Sequence, residues 1–322
     1  MAKYIIKRVL RSVATLLLIV ISVFLLLRLM PIEGYFTNYE KMTPTQIRVG
    51  LANLGLDRPI HIQVLNFLKT LAKGDLGISN KYRVKYPITK IIASKMPLSI
   101  QIGLMAMGVA LVCGAPIGIL MAKSARSTSR LKLFDKLGTV FIVVIEAIPA
   151  SVYYLFIQIY GTELIGKLIP LPTLFDKDKA ITWVLPVFSL SLGTMAWAAM
   201  WIRRYMVDES TKDYVLLARA KGVPPGTISR RHIFRNAVVP LVQGIPTTLL
   251  LTLMGSLYVE SRYSIPGMGG LLVDVIKRQD NTVVQALVLV YSATSILGLL
   301  LGDILMALLD PRIRLSGKGD TR

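Results

Sequence analysis

Six long apolar runs constrain this chain more than any other feature. They lie at roughly 9–30, 97–122, 137–161, 181–202, 237–259 and 283–309. Each is about as long as the ~20 residues a helix needs to cross some 30 Å of hydrocarbon. Composition agrees: the chain is 53% hydrophobic and 17% charged, where soluble domains sit near a quarter charged. The expected fold is an all-α polytopic membrane protein with six transmembrane helices. Its core is then the packing between spans, because lipid offers helices no hydrophobic reason to associate.

Basic residues orient the spans. Lys3, Lys7, Arg8 and Arg11 precede the first apolar run, which continues from Ser12 to Leu27 without an Ala-x-Ala-like site. It reads as a retained span rather than a cleaved signal, with Arg28 snorkelling at its far end. Of 38 Lys and Arg, four lie at the N-terminus, five in 123–136, eight in 203–235 and four after Asp310, against three each in 162–180 and 260–282. The 31–96 segment holds ten, but a segment that long is translocated largely regardless of charge. Both termini are expected in the cytoplasm. The net charge of +20 follows from basic loops beside anionic headgroups and calls for no nucleic acid.

Few residues offer chemistry. Cys113 lies inside the second run and reads as a small buried hydrophobe. His61 and His232 fall on opposite sides of the membrane, so no paired-histidine metal site is expected. The G-x-x-x-x-G-K-[ST] pattern that cradles nucleotide phosphates is absent. Ionisable residues inside spans are costly and therefore candidates for function. Glu146, just before Pro149, is expected to face a protein interior or a water-filled path, with a structural partner equally open. Asp303 reads as half of a structural ion pair, and Glu260 and Arg262 as interfacial charges at the outer end of the fifth run. Gly114 with Gly118, and Gly298 with Gly302, are each four apart and predict close helix packing within one bundle. Pro116 and Pro149 mark kinks.

The segment 31–96 departs from membrane character. Thr43, Pro44 and Gln46 have the spacing of a capped helix start. From Ile60 to Leu71 an amphipathic stretch sets Ile60, Val64, Leu65 and Leu68 on one face and ends near Gly74. A small folded extracytoplasmic insertion is expected, with a docking or gating role and a plain connector both open.

The second departure is 205–236. Tyr205 to Lys221 favours helix, Gly222 suits a left-handed close, and Pro224-Pro225-Gly226 forces a break. Thr227 has the chemistry to cap a second short helix through about Arg235. The result is a pair of short basic helices between two spans, carrying Arg219, Lys221, Arg230, Arg231 and Arg235. Such a pair would suggest DNA binding in a soluble chain; tethered to a membrane it suits docking on a soluble partner.

This segment resembles the coupling loop of binding-protein-dependent ABC importer permeases of the oligopeptide, dipeptide and nickel type. The matching residues are Asp213, Tyr214, Val215, Ala218, Arg219, Ala220, Lys221 and Gly222, then Arg231, His232, Arg235, Asn236, Ala237 and Pro240. The likeness extends to Leu54-Gly55-Leu56-Asp57-Arg58-Pro59, Gly74-Asp75-Leu76-Gly77, Tyr263-Ser264-Ile265-Pro266-Gly267-Met268-Gly269 and Leu309-Asp310-Pro311-Arg312-Ile313. Two places depart from the pattern: Pro31-Ile32-Glu33-Gly34 after the first span, and Glu146.

The resemblance implies a first permease subunit with a cytoplasmic N-terminus and span at 1–30, an insertion at 31–96, a permease core at 97–309 and a cytoplasmic tail at 310–322. It implies a multi-pass place in a bacterial or archaeal cell membrane. The partners would be a second permease, one or two cytoplasmic ATPase subunits carrying ATP and Mg, and an extracytoplasmic substrate-binding protein. No cofactor or metal is expected on this chain. Asp213, Tyr214, Ala218, Arg219, Ala220, Lys221 and Gly222 would couple to the ATPase, and Glu146, Glu33 and Glu260 would line the substrate path. Oligopeptides are the expected cargo, with nickel, oligosaccharides or another small solute open. An ATPase-independent channel and an intramembrane enzyme are the rival classes.

Overall fold

A computed structural model describes residues 2–125, 132–165 and 171–309. The 310–313 motif and the tail after it lie outside the described residues. Among the described residues five stretches are helical, long and apolar enough to cross a membrane, or up to six if a bent helix pair is one span. The order is α1 (Ala2–Arg28), then an insertion with α2 (Pro44–Asn53), α3 (Ile60–Ala72) and a two-stranded hairpin of β1 (Ile78–Ser79) and β2 (Tyr86–Pro87). Next come α4 (Ile88–Ala125), α5 (Lys132–Ala147), α6 (Ala150–Tyr160) and α7 (Val184–Glu209). A loop with α8 (Asp213–Ala220), α9 (Pro225–Thr227) and α10 (Arg235–Ala237) leads to α11 (Val239–Leu253), α12 (Leu257–Arg262), α13 (Met268–Lys277) and α14 (Asn281–Leu309).

The expected third span is not one helix. It breaks between α5 and α6, which meet at 108°. Pro149 sits at the break with φ −53° and ψ 133°; it lacks an N–H and pushes the residue before it out of helical geometry. The second span also differs. Its helix starts at Ile88, inside the expected insertion, and runs 38 residues through Pro97 and Pro116. At 1.5 Å per residue that is about 57 Å, so α4 projects well past the hydrocarbon as a stem for the insertion.

Helix α7 is the centre of the bundle and α1 its edge: 61% of the α7 span is buried against 11% of α1. Both glycine pairs pack inside this chain, as expected. A Cβ on Gly114 would stand 2.7 Å from the Met195 carbonyl oxygen, and one on Gly118 2.6 Å from that of Ala199, which sets α4 directly on α7. Gly302 comes as close to α11, where a Cβ would lie 2.1 Å from the Gln243 carbonyl oxygen. Two ion pairs brace the same end of the bundle. Arg203 on α7 grips Asp135 on α5 with two donors, Nη2 at 2.8 Å. Arg8 on α1 pairs with Asp303 on α14, which also accepts from Gln243 Nε2 at 3.1 Å. Asp303 is thus the structural partner expected of it. Cys113 is not the expected buried hydrophobe; its residue is exposed on α4.

The insertion folds onto the other end. The α2 start is a full capping box: Gln46 N–H donates to Thr43 Oγ1 at 3.3 Å, and Thr43 N–H to Gln46 Oε1 at 2.8 Å. Helix α3 docks through Phe67, stacked on Phe24 of α1 at 4.9 Å. Its inward face is only in part the one expected: Val64 and Leu68 are half-buried, but Ile60 and Leu65 are 45% and 55% exposed. Arg28 does not snorkel freely. Its guanidinium lies over the rings of Phe24 and Tyr35, and Nη1 donates to Tyr35 Oη at 2.8 Å. The hairpin is pinned by Asp280, whose Oδ2 accepts from Ser79 Oγ at 2.7 Å and from the N–H groups of Asn80, Lys81 and Tyr82 at 3.1, 2.9 and 2.9 Å.

Candidate functional site

The loop between α7 and α11 packs on itself at the end of the bundle opposite the insertion. Helix α7 runs on to Glu209, and a turn at Ser210–Lys212 separates it from α8. The expected continuous helix from Tyr205 to Lys221 is therefore two. Asp213 opens α8, where a carboxylate complements the positive end of the helix dipole. Val215 and Ala218, three apart, are buried against Ile202, Met206, Ile228 and Ile233. The opposite face carries Asp213, Leu216, Leu217, Ala220 and Lys221 into the open, with Leu216 51% and Leu217 56% exposed.

The close of α8 is as the sequence predicts. Gly222 adopts φ +72°. Its N–H donates to the Arg219 carbonyl at 2.9 Å, and Val223 N–H reaches the Ala218 carbonyl at 3.1 Å. These are the paired bonds of a Schellman close, with Val223 and Ala218 supplying the apolar contact. The second half departs from expectation. Pro225 takes the first helical position of α9, and Thr227 is helical with no side-chain cap bond. Residues Ile228–Phe234 form a π-helical turn leading through α10 towards α11, and such turns recur at functional sites.

Tyr214 fastens the two halves together. Its hydroxyl donates to the Glu209 carboxylate and accepts from Asn236 Nδ2 at 2.9 Å, while Asn236 also donates to the His232 carbonyl at 3.0 Å. Of the seven candidate coupling residues, Tyr214 and Ala218 thus hold the loop together rather than face outward. Arg219 is exposed but lines a recess of about 510 Å³ with Lys123, Ser210 and Ser229. Asp213, Ala220, Lys221 and Gly222 are exposed. Leu216 and Leu217 were not among the sequence candidates. Their signal was two adjacent leucines on the face opposite Val215 and Ala218.

The three glutamates proposed for a substrate path lie apart. Glu146 is exposed at the end of α5, one turn before the 108° break. Glu33 is exposed on a 3₁₀ turn (Ile32–Tyr35) whose Gly34 packs under Asn281. Glu260 is not an interfacial charge and offers no open face. It is 1% exposed; Oε1 accepts from Ser99 Oγ at 2.6 Å, and Oε2 from the N–H groups of Gly269 and Gly270 at 2.6 and 3.1 Å. Glu260 staples α12 to α4 and to the start of α13. Its neighbour Arg262 instead lines an open recess of about 440 Å³ beside Ser151, Tyr154, Tyr258 and Ser261, just beyond the break. Among the described residues no group of three or more His, Cys, Asp or Glu is placed to hold a metal ion.

A family model described as binding-protein-dependent transport system inner membrane component matches residues 114–315. A companion described as the N-terminal part of such a membrane component matches residues 1–102. The chain is 33% identical to the dipeptide transport system permease protein DppB of Lactococcus lactis, over 98% of this chain and 100% of that one. It is 34% identical to the glutathione transport system permease protein GsiC of Pectobacterium atrosepticum, over 98% and 99%. It is 31% identical to the oligopeptide transport system permease protein OppB of Haemophilus influenzae, over 98% and 100%. Among solved structures, an inward-facing MetNI methionine ABC transporter shares the fold, with a TM-score of 0.52 and 15% identity over 68% of this chain and 96% of that one.

Proposed function

We infer that this chain, which belongs to the family of binding-protein-dependent transport system inner membrane components, is the peptide-conducting permease subunit of an ATP-driven importer. Three relatives that it matches end to end are named for dipeptide, glutathione and oligopeptide transport, and all three cargoes are peptides. The chain would pair with a second permease, receive its cargo from an extracytoplasmic binding protein, and leave ATP and Mg to cytoplasmic ATPase subunits. Both termini and the α8 loop would then be cytoplasmic.

The observation that carries the reading is the α8 loop. One face is apolar and buried; the other shows two leucines where a helix surrounded by water would show charge. A partner that covers Leu216, Leu217 and Ala220 gains apolar burial of ~25 cal/mol per Å², and Lys221 and Asp213 give that contact its polar rim. Tyr214 and the Val215–Ala218 face make the loop stiff. A push on α8 therefore reaches the end of α7 and the start of α11 together. Helix α7 is set on α4 through Gly114 and Gly118 and tied to α5 by Arg203–Asp135, so α4, α5 and α7 would swing as one block. Closure of the ATPase pair changes the balance between inward- and outward-open states only through contacts that differ between them.

Glu146 would face the solute path or the second permease, and Arg262, in its recess, is the better candidate than Glu260 for contact with a passing peptide. The direct test is uptake of a labelled dipeptide by cells carrying the whole transport system, with and without this chain. Uptake lost on deletion and restored by the gene supports the reading; unchanged peptide uptake with loss of nickel or oligosaccharide uptake refutes the cargo. Glu146→Gln should lower uptake while the ATPase subunits still co-purify. Failure of the complex to assemble would instead make Glu146 a structural residue.

A further inference from the structure

The insertion, the outer end of α1 and the first turns of α14 enclose a pocket of about 250 Å³. Three side chains on its wall each hold a buried polar atom with no hydrogen-bond partner: Arg28 Nε, Gln63 Oε1 and Gln285 Nε2. Buried polar atoms are nearly always satisfied, so three around one pocket demand an explanation. For Gln63 and Arg28 the chemistry is fixed by what their other atoms do. Gln63 Nε2 donates to the carbonyls of Leu56 and Arg58 at 3.1 and 2.7 Å, which leaves its oxygen as an acceptor. The Arg28 guanidinium is held by Phe24 and Tyr35, leaving Nε–H as a charged donor. Gln285 is only 8% exposed, on an otherwise apolar stretch of α14, and presents an amide donor. At the exposed rim Asp75 keeps its place by accepting from Gly77 N–H at 2.8 Å. Leu54, Phe67 and Leu289 supply an apolar wall.

We propose that this pocket binds a small zwitterion bearing a primary ammonium and an oxyanion. The oxyanion meets Arg28 Nε–H and Gln285 Nε2, and the ammonium meets Gln63 Oε1 and Asp75. The cavity is roomy enough for a small amino acid or a phosphoethanolamine headgroup. Both sources reach the site, since Arg28 ends a membrane-spanning helix. An occupant would clamp the insertion to α1 and α14.

The test uses the full-length chain in nanodiscs. Thermal unfolding and calorimetric titration with L-alanine are run in phosphatidylcholine discs, and unfolding is repeated in discs containing phosphatidylethanolamine. Two variants accompany it: Gln285→Leu, which keeps side-chain volume and removes the donor, and Asn66→Leu, which changes the pocket wall from the exposed side of α3 without entering the core. Alanine binding in phosphatidylcholine discs, weakened at least tenfold by either variant, identifies a free zwitterion. Stabilisation only by phosphatidylethanolamine, lost in either variant, identifies the headgroup. If neither ligand raises the melting temperature, if acetate alone matches alanine, or if both variants respond as the parent does, the proposal is overturned.

Discussion

The carboxylates Glu260 and Asp280 at one end of this bundle and the α8 loop at the other treat charge in opposite ways. At the insertion end, Glu260 and Asp280 are 1% and 0% exposed, and each is wrapped in backbone N–H donors and a serine hydroxyl. At the α8 end, Asp213, Lys221 and Arg219 stand in the open beside two bare leucines. A buried carboxylate is tolerable only when its lone pairs are filled, and these two carboxylates are closed on themselves. An exposed apolar stripe on a helix is the reverse, a surface that the proposed partner chain would cover. The contrast separates residues that make the fold from residues that use it, and substitutions ranked by their cost to stability will break or sharpen it.

The largest cost belongs to the buried carboxylates. Asp280→Ala strips the acceptor from four backbone N–H groups, those of Asn80, Lys81, Tyr82 and Val283, and from Ser79 Oγ. An unsatisfied buried donor costs about 1–3 kcal/mol, so several at once should free the hairpin and sharply lower the melting temperature. Hydrogen exchange over residues 78–87 reads this directly. Protection equal to the parent's would show that Asp280 is not what holds the hairpin.

Next come the helix seams. Gly302→Val drives a side chain into the Gln243 carbonyl, and Gly118→Val into that of Ala199. Overpacking of this kind costs about 1–3 kcal/mol. The control is Gly108→Ala on α4, where a new Cβ meets nothing within 4 Å; helix propensity alone should make it neutral or stabilising by up to ~1 kcal/mol. Equal melting temperatures for Gly302→Val and Gly108→Ala would mean that the α11–α14 seam is looser than these contacts require.

What the sequence disclosed follows the same line. Features set by neighbours a few residues apart were legible: the Thr43–Gln46 box, the Gly222 close, the paired glycines. Features set by distant partners were not. Glu260 looked like a cheap interfacial charge because Ser99 lies 161 positions away. The Arg203–Asp135 clasp spans 68 positions and has no local signature. Pro149 marked a kink, yet nothing in its neighbourhood distinguishes a kink from a 108° reversal. Thr227 had capping chemistry, but Pro225 at the first helical position started the helix earlier. The open face of α8, proposed here for coupling, was half legible. Its position and its closing glycine were plain, but which residues point outward depended on where α7 stops, and that is decided by packing against Ile228 and Ile233.

A middle-sized effect lies where the two kinds of region meet. Tyr214→Phe keeps the ring and deletes the hydroxyl that joins Glu209 and Asn236. A net hydrogen bond is worth about 0.5–1.5 kcal/mol, so the melting temperature should fall slightly. If α8 works as a lever, transport should fall further than stability does, because a looser joint loses motion before it loses fold. A drop in transport no larger than the drop in folded protein would show that the joint carries no force.

The smallest effect on stability is the most informative. Leu217→Asp changes a side chain that is 56% exposed and touches no buried cluster, so folding should move by no more than ~0.5 kcal/mol. Yet a charge at the centre of an apolar contact removes its burial and imposes desolvation on the partner. Co-purification of ATPase subunits and peptide uptake should therefore both collapse while the melting temperature holds. The matched inward change, Ala218→Leu, faces Met206 and Ile233 and should do the opposite, costing stability first. Adjacent residues would then fail in different assays, as a helix with one face for the fold and one for a partner requires. If Leu217→Asp left the complex and its uptake intact, the open face of α8 would not be the docking surface, and the contrast between the two ends would lose its functional meaning.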